Sequence, residues 1–168
     1  MMIDAVRILL FPSLMAFAAS SDLLTMTISN RVSLLLAAGF CGLALATGMD
    51  ASEIGFHALA GIVVLLIGFV FYTRGWIGGG DAKLAAATAL WFGFDHLYDF
   101  VLFASVLGGA LTLLILKFRE YPLPPFFSHF EWLERLHRKD TGVPYGIALA
   151  IAALLIYPYT IWMTAAGI

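Results

Sequence analysis

An all-α bundle that passes several times through a membrane is the fold this sequence predicts. Three observations carry that expectation. Hydrophobic residues make up 62% of the chain and charged residues only 12%, against about 25% charged in a soluble domain. Mean hydropathy is +0.96, so much of the apolar surface has to face lipid. The apolar residues also fall into six runs, at about 4–20, 32–48, 56–73, 82–94, 98–117 and 144–166. The 168 residues make one bundle, a single membrane-embedded domain over 1–168.

A helix needs about 20 residues to cross a bilayer, within a range of about 17–25. Five of the runs reach or approach that range. The first, whose N-terminal region has only Arg7, offset by Asp4, contains Ala16-Phe17-Ala18, which has the look of a signal-peptidase site. Five further runs follow, and a multispan chain needs no cleaved signal. The fourth, from Ala82 to Phe94, is short. It crosses only where the bilayer is thinned or where protein surrounds it. Gly79 and Gly80 let the backbone turn sharply just before it.

Charge sets the orientation. Arg31, Arg74, Lys83, Lys117, Arg119, Arg135, Arg138 and Lys139 lie in the first, third and fifth loops or at their edges. The second loop has Asp50 and Glu53, the fourth Asp95 and His96 with Asp99 nearby, and neither has a Lys or Arg. The positive-inside rule places loops one, three and five in the cytoplasm and both termini outside, with Arg7 discordant. That alternation requires the short fourth run to cross.

The fifth loop, 118–142, starts with Pro122, Pro124 and Pro125, which stop a helix. Beyond them Phe126, Phe127, Phe130, Leu133 and Leu136 recur at helical spacing, with Glu131, Glu134, Arg135, Arg138 and Lys139 between. This reads either as an amphipathic helix on the inner membrane surface or as a short helix packed on the bundle. Trp76, Trp91, Trp132 and Trp162 fall near the expected interfaces, as anchoring tryptophans do. A net charge of −2 with no broad basic face argues against a nucleic-acid partner.

Two aspartates stand at the edges of apolar runs. Asp22 follows the first, and Asp81 ends Gly78-Gly79-Gly80-Asp81 before the fourth. Each has a structural explanation by itself: Asp81 as an N-cap, Asp22 as a residue that caps or ends a helix at the interface. Together they carry more, because carboxylates are expensive near lipid and both fall on the cytoplasmic side. Two carboxylates that hold one proton between them are the chemistry of aspartic proteolysis. Other chemistry has less support. His57, His96, His129 and His137 have no spacing that brings two of them to a metal with a carboxylate. Ser20, Ser21 and Ser33 have no nearby base. Cys41 is the one cysteine, read as a small buried hydrophobe.

Asp22-x5-Ile28-x-Asn30, the Gly-x-Gly-Asp motif ending in Asp81, and Val143-Pro144-Tyr145-Gly146 at the start of the last run lie at the same face. Together they resemble the type IV prepilin peptidases, Gly-x-Gly-Asp intramembrane aspartyl proteases. The resemblance implies that Asp22 and Asp81 are the catalytic pair. It makes Gly78 and Gly80 the residues that allow close approach to Asp81, and Asn30, Pro144, Tyr145 and Gly146 shapers of the site. Lys83 is near enough to bias the pair's charge, though it reads more simply as an inside-positive topology residue. Ser29 departs from the pattern, since many relatives have a proline there, and the turn is slightly weaker for it. Larger relatives carry paired Cys-x-x-Cys motifs linked to N-methylation. This chain looks like the short, peptidase-only type associated with Flp (Tad) pili, with no methyltransferase activity expected.

The resemblance implies no cofactor or metal. It implies a prepilin substrate, a basic leader followed by a transmembrane helix, cut at the cytoplasmic face of a bacterial inner membrane, with the lipid bilayer as the other partner. Two other classes remain open at this point. One is a small transporter that relays protons or a cation through the aspartates; the other is a non-catalytic membrane subunit of a pilus or secretion machine.

Overall fold

A computed structural model describes residues 2–124, 126 and 129–164. Helix α1 spans Met2–Thr25, α2 Asn30–Thr47, α3 Ala51–Thr73, α4 Gly79–Phe92 and α5 Leu97–Phe118. A short α6 at Glu131–His137 precedes α7 at Tyr145–Ile156, a 3-10 turn at Tyr157–Tyr159 and α8 at Ile161–Thr164. There is no strand among the described residues. Helices α1, α2, α3 and α5 are long and apolar enough to cross a membrane, and the chain is a multi-pass membrane protein.

The remaining apolar helices are short and central. At 1.5 Å per residue, the 14 residues of α4 and the 12 of α7 cover about 21 and 18 Å, less than a hydrocarbon core of about 30 Å. They tolerate this because protein surrounds them. Ala82, Leu84, Ala86, Ala87, Thr88, Ala89, Trp91 and Phe92 of α4 are all buried. Helix α3 packs along α4 and α5 along α7, while α1 and α2 close the other side. Small residues permit the approach, as is usual between membrane helices: a Cβ on Gly68 of α3 would sit 3.0 Å from the Ala82 Cβ of α4. Although short, α4 carries the chain from one end of the bundle to the other. Gly80 at its start abuts Ile28 of the first loop, and Gly93 just past its end abuts His57 near the start of α3.

That far end is a knot of aromatic rings. Phe11 stacks on Tyr157 at 4.5 Å between centroids, and Trp91 lies 5.2 Å from Trp162. Trp91 Nε1 donates to the Leu36 carbonyl at 2.9 Å and Trp162 Nε1 to the Trp91 carbonyl at 2.8 Å. Trp91 and Trp162 are therefore core residues, 0% and 2% exposed, not interfacial anchors, because their N–H groups find buried carbonyls. Trp76, 65% exposed, stays at the surface.

Other expectations also need correction. The last apolar run is not one helix: it breaks into α7, the 3-10 turn and α8 around Pro158, which lacks a backbone donor. Residues 165 and 166 of that run lie outside the described residues. Cys41 is exposed on α2 rather than buried. In the fifth loop the helix is only seven residues long and has none of them buried. It is tied to the bundle by Arg135, whose Nη1 donates to the Leu24 carbonyl at 2.7 Å. Pro125 and Phe127 of that stretch lie outside the described residues.

Candidate active site

Both aspartates continue the core-facing stripe of their own helix. In α1, Phe11, Met15 and Ala18 are fully buried, and Asp22 is the next residue at that spacing. In α4 the stripe Trp91, Thr88, Leu84 runs back to Asp81 in the same way. A carboxyl thus stands where each helix would otherwise place an apolar side chain, and both point into the bundle.

Asp22 is 5% exposed and its Oδ2 accepts a hydrogen bond from the Gly146 N–H at 2.7 Å. Gly146 is the second residue of α7, so Asp22 caps a helix other than its own. Within α1 it lies in the last turn, where the helix dipole disfavours an anion. The α7 N-terminus compensates. Asp81 is not the N-cap of α4. Gly78 takes that position and Asp81 is the third helical residue, its carboxyl bonded back to the Gly78 backbone. The acid therefore closes the first turn in the manner of a capping box, because three glycine-rich positions let the helix start earlier. Each carboxyl thus lies at the positive end of one of the two short central helices.

The carboxyls are close enough for the charge of one to act on the other. Ile28 holds the arrangement together. A Cβ on Gly80 would lie 3.1 Å from the Ile28 Cβ, and one on Gly146 2.6 Å from its Cδ1 and 2.8 Å from Asp22 Oδ2. A Cβ on Gly78 would meet Asp81 Oδ2 at 2.8 Å. Glycine at 78, 80 and 146 is what allows the first loop, α4 and α7 to converge on the two acids.

Asp81 opens onto a cleft of about 450 Å³ whose walls include Trp76, Gly78, Thr112, Val143 and Tyr145. It runs between the turn that follows α3 and the flank of α5. Tyr145 lies against Gly108 of α5, in space that any larger residue at 108 would fill. Pro144 is the N-cap of α7. Val143 belongs to the motif at the start of the last run and Trp76 reads in sequence as an interfacial anchor; Thr112 carries no signal in the sequence. Thr112 stands one turn beyond Gly108, yet nothing in the pattern of α5 marks either as facing a cleft.

Lys83 and Asn30 stand apart from the cleft. The Lys83 Nζ donates to Asn30 Oδ1 at 2.8 Å, pinning α4 to the start of α2. Ser29, in the place of the usual proline, caps α2 by accepting from the Arg31 N–H at 3.3 Å. The turn loses proline stiffness and gains a cap. Among the described residues, no group of three or more His, Cys, Asp or Glu is placed to hold a metal. His57 is buried and its Nδ1 pairs with the Leu90 carbonyl at 2.8 Å.

A family model for the type IV leader peptidases matches residues 9–113. The chain belongs to the type IV leader peptidase family. The matched stretch runs from α1 into α5 and contains Asp22, Gly78, Gly80 and Asp81. The 118–142 loop and Pro144-Tyr145-Gly146 lie beyond it. No curated protein and no solved structure matches the chain. Membership implies aspartic-type peptidase activity and, in general, a prepilin as substrate.

Proposed function

We propose that the protein removes the leader of an Flp-type pilin precursor, with Asp22 and Asp81 as its catalytic pair. The observation that carries this is the placement of the acids. Asp81 opens onto the cleft, Asp22 stands behind it, and both lie at helix N-termini where charge is tolerated. Two such carboxyls hold one proton between them. The ionised one takes a proton from water as the water attacks the scissile carbonyl. The protonated one polarises that carbonyl's oxygen. The pair titrates as a unit, so the roles belong to the dyad.

The charge pattern supports a cytoplasmic site in the bacterial inner membrane. Loops one, three and five, which together with the helix ends at their edges hold all but one of the Lys and Arg residues, meet at the aspartate end. The cleft lies between the α3–α4 turn and α5, and α3 and α5 do not pack on each other to any extent. This leaves a side of the bundle at which the substrate's apolar helix docks with its leader lying across Asp81.

The test is cleavage of a co-reconstituted Flp-type prepilin by wild type, Asp22→Asn and Asp81→Asn, with folding of each checked. Loss of cleavage in both folded variants supports the dyad. Cleavage at the normal rate by either variant rejects the pair. A wild type that never cuts rejects the peptidase and favours a transporter or scaffold.

A further inference from the structure

Arg119 is the only Lys or Arg among the described residues that is buried, at 8% exposed. Burying a guanidinium is costly unless its donors are satisfied, and here they are spent on one strand of chain. Nε donates to the Leu136 carbonyl at 2.8 Å. Nη2 donates to the Gly142 carbonyl at 2.8 Å and to Thr141 Oγ1 at 3.2 Å. Asp140, the acid that feels its charge, is itself forked to Arg138 at 3.1 and 2.6 Å. The guanidinium therefore reads backbone, and it closes the 118–142 loop onto the end of α5.

The held segment leads directly to the site. Val143, next to Gly142, lines the cleft. Three residues further on, the Gly146 N–H meets Asp22. The same knot reaches Asp22 from the other side. The Thr141 hydroxyl, which accepts from Arg119, lies 2.7 Å from the Arg135 carbonyl and 2.8 Å from the Arg138 carbonyl and shares its one proton between them, so it joins Arg119 to both ends of this turn. The Arg135 side chain in turn donates to the carbonyl of Leu24, two residues after Asp22. We propose that Arg119 is a positioning residue for the peptidase reaction, holding Gly142–Gly146 so that the cleft wall and the Asp22 carboxyl keep their separation. This rests on the proposed peptidase reading. Lysine cannot replace it, because a single ammonium has no planar fork to span Leu136 and Gly142 at once.

The experiment compares wild type, Arg119→Lys and Thr141→Val in the co-reconstituted prepilin assay, with amide hydrogen exchange followed over residues 142–146. Arg138→Ala, an exposed change in the same loop, and Asp81→Asn serve as controls. Faster exchange at 142–146 in Arg119→Lys is expected, together with a kcat about tenfold or more below wild type, little change in KM and retained folding. Thr141→Val is expected to move both readouts the same way by less, and it carries the test if Arg119→Lys does not fold. Unchanged exchange overturns the proposal, and so does faster exchange with an unchanged kcat. If instead wild type fails to cut, or Asp81→Asn cuts normally, the peptidase reading falls and the positioning role falls with it.

Discussion

The two ends of this bundle are built on opposite plans. At one, Phe11, Phe40, Trp91, Trp162 and Tyr157 pack ring on ring with every indole N–H paired. At the other, glycines at 78, 80 and 146 stand beside two carboxyls and an open cleft. The same helices serve both ends: α1 runs from Phe11 to Asp22, α4 from Asp81 to Trp91, and α7 from Gly146 toward Tyr157. Helix association in lipid relies on van der Waals packing rather than on burial from water. The aromatic end supplies that packing in quantity. The aspartate end then tolerates buried acids, missing side chains and a void that would weaken a bundle lacking such an anchor.

This contrast predicts that substitutions divide by end, activity at one and stability at the other. The largest effect belongs to the acids. Asp81→Asn and Asp22→Asn should each lower cleavage roughly 10²–10⁴-fold with melting temperature nearly unchanged; a large loss of thermal stability in either would mean that the acids hold the fold rather than perform chemistry. Next comes Trp91→Ala, which should cost about 3–5 kcal/mol of stability in an unfolding titration in detergent. Molecules that remain folded should cut at the wild-type rate, and a specific loss of turnover would break the division.

Gly146→Ala tests the close packing at the aspartate end. Its Cβ meets Ile28 and Asp22 Oδ2, so α7 must shift, and a misplacement near 1 Å is worth about 10² in rate. Normal turnover would show that the approach of α7 to Asp22 is dispensable. The smallest change is Tyr157→Phe, which removes the bond from the Tyr157 hydroxyl to the Arg7 carbonyl, 2.6 Å long. About 0.5–1.5 kcal/mol of stability should go, and no activity, as read from paired melting and cleavage assays.

Much of this plan is legible before folding. Asp22 after the first apolar run and Gly78-Gly79-Gly80-Asp81 before the fourth mark two acids at the edges of apolar segments, and the loop charges place both at one end. The misreadings share a cause. Trp91 and Trp162 look like interfacial anchors because position along a run reports depth in the membrane and says nothing of neighbours. Their burial depends on carbonyls of Leu36 and Trp91 that other segments bring to them. Asp81 looks like an N-cap because the sequence does not say which glycine starts the helix. Ser29 looks like a loss, since the Arg31 N–H it caps becomes an orphan donor only once α2 begins there.

Composition, apolar periodicity and loop charge, all local along the chain, were enough to determine a multi-pass helical bundle with two acids at one end, because lipid forces backbone bonds inside each helix and charge sets orientation. Only the tertiary structure decided that Asp22 caps α7, that of the two acids Asp81 opens onto the cleft, and that Arg119 closes the last loop onto the end of α5. Those are contacts between residues as far as 124 positions apart, and their geometry depends on how closely glycines let the helices approach, which no one-dimensional pattern records.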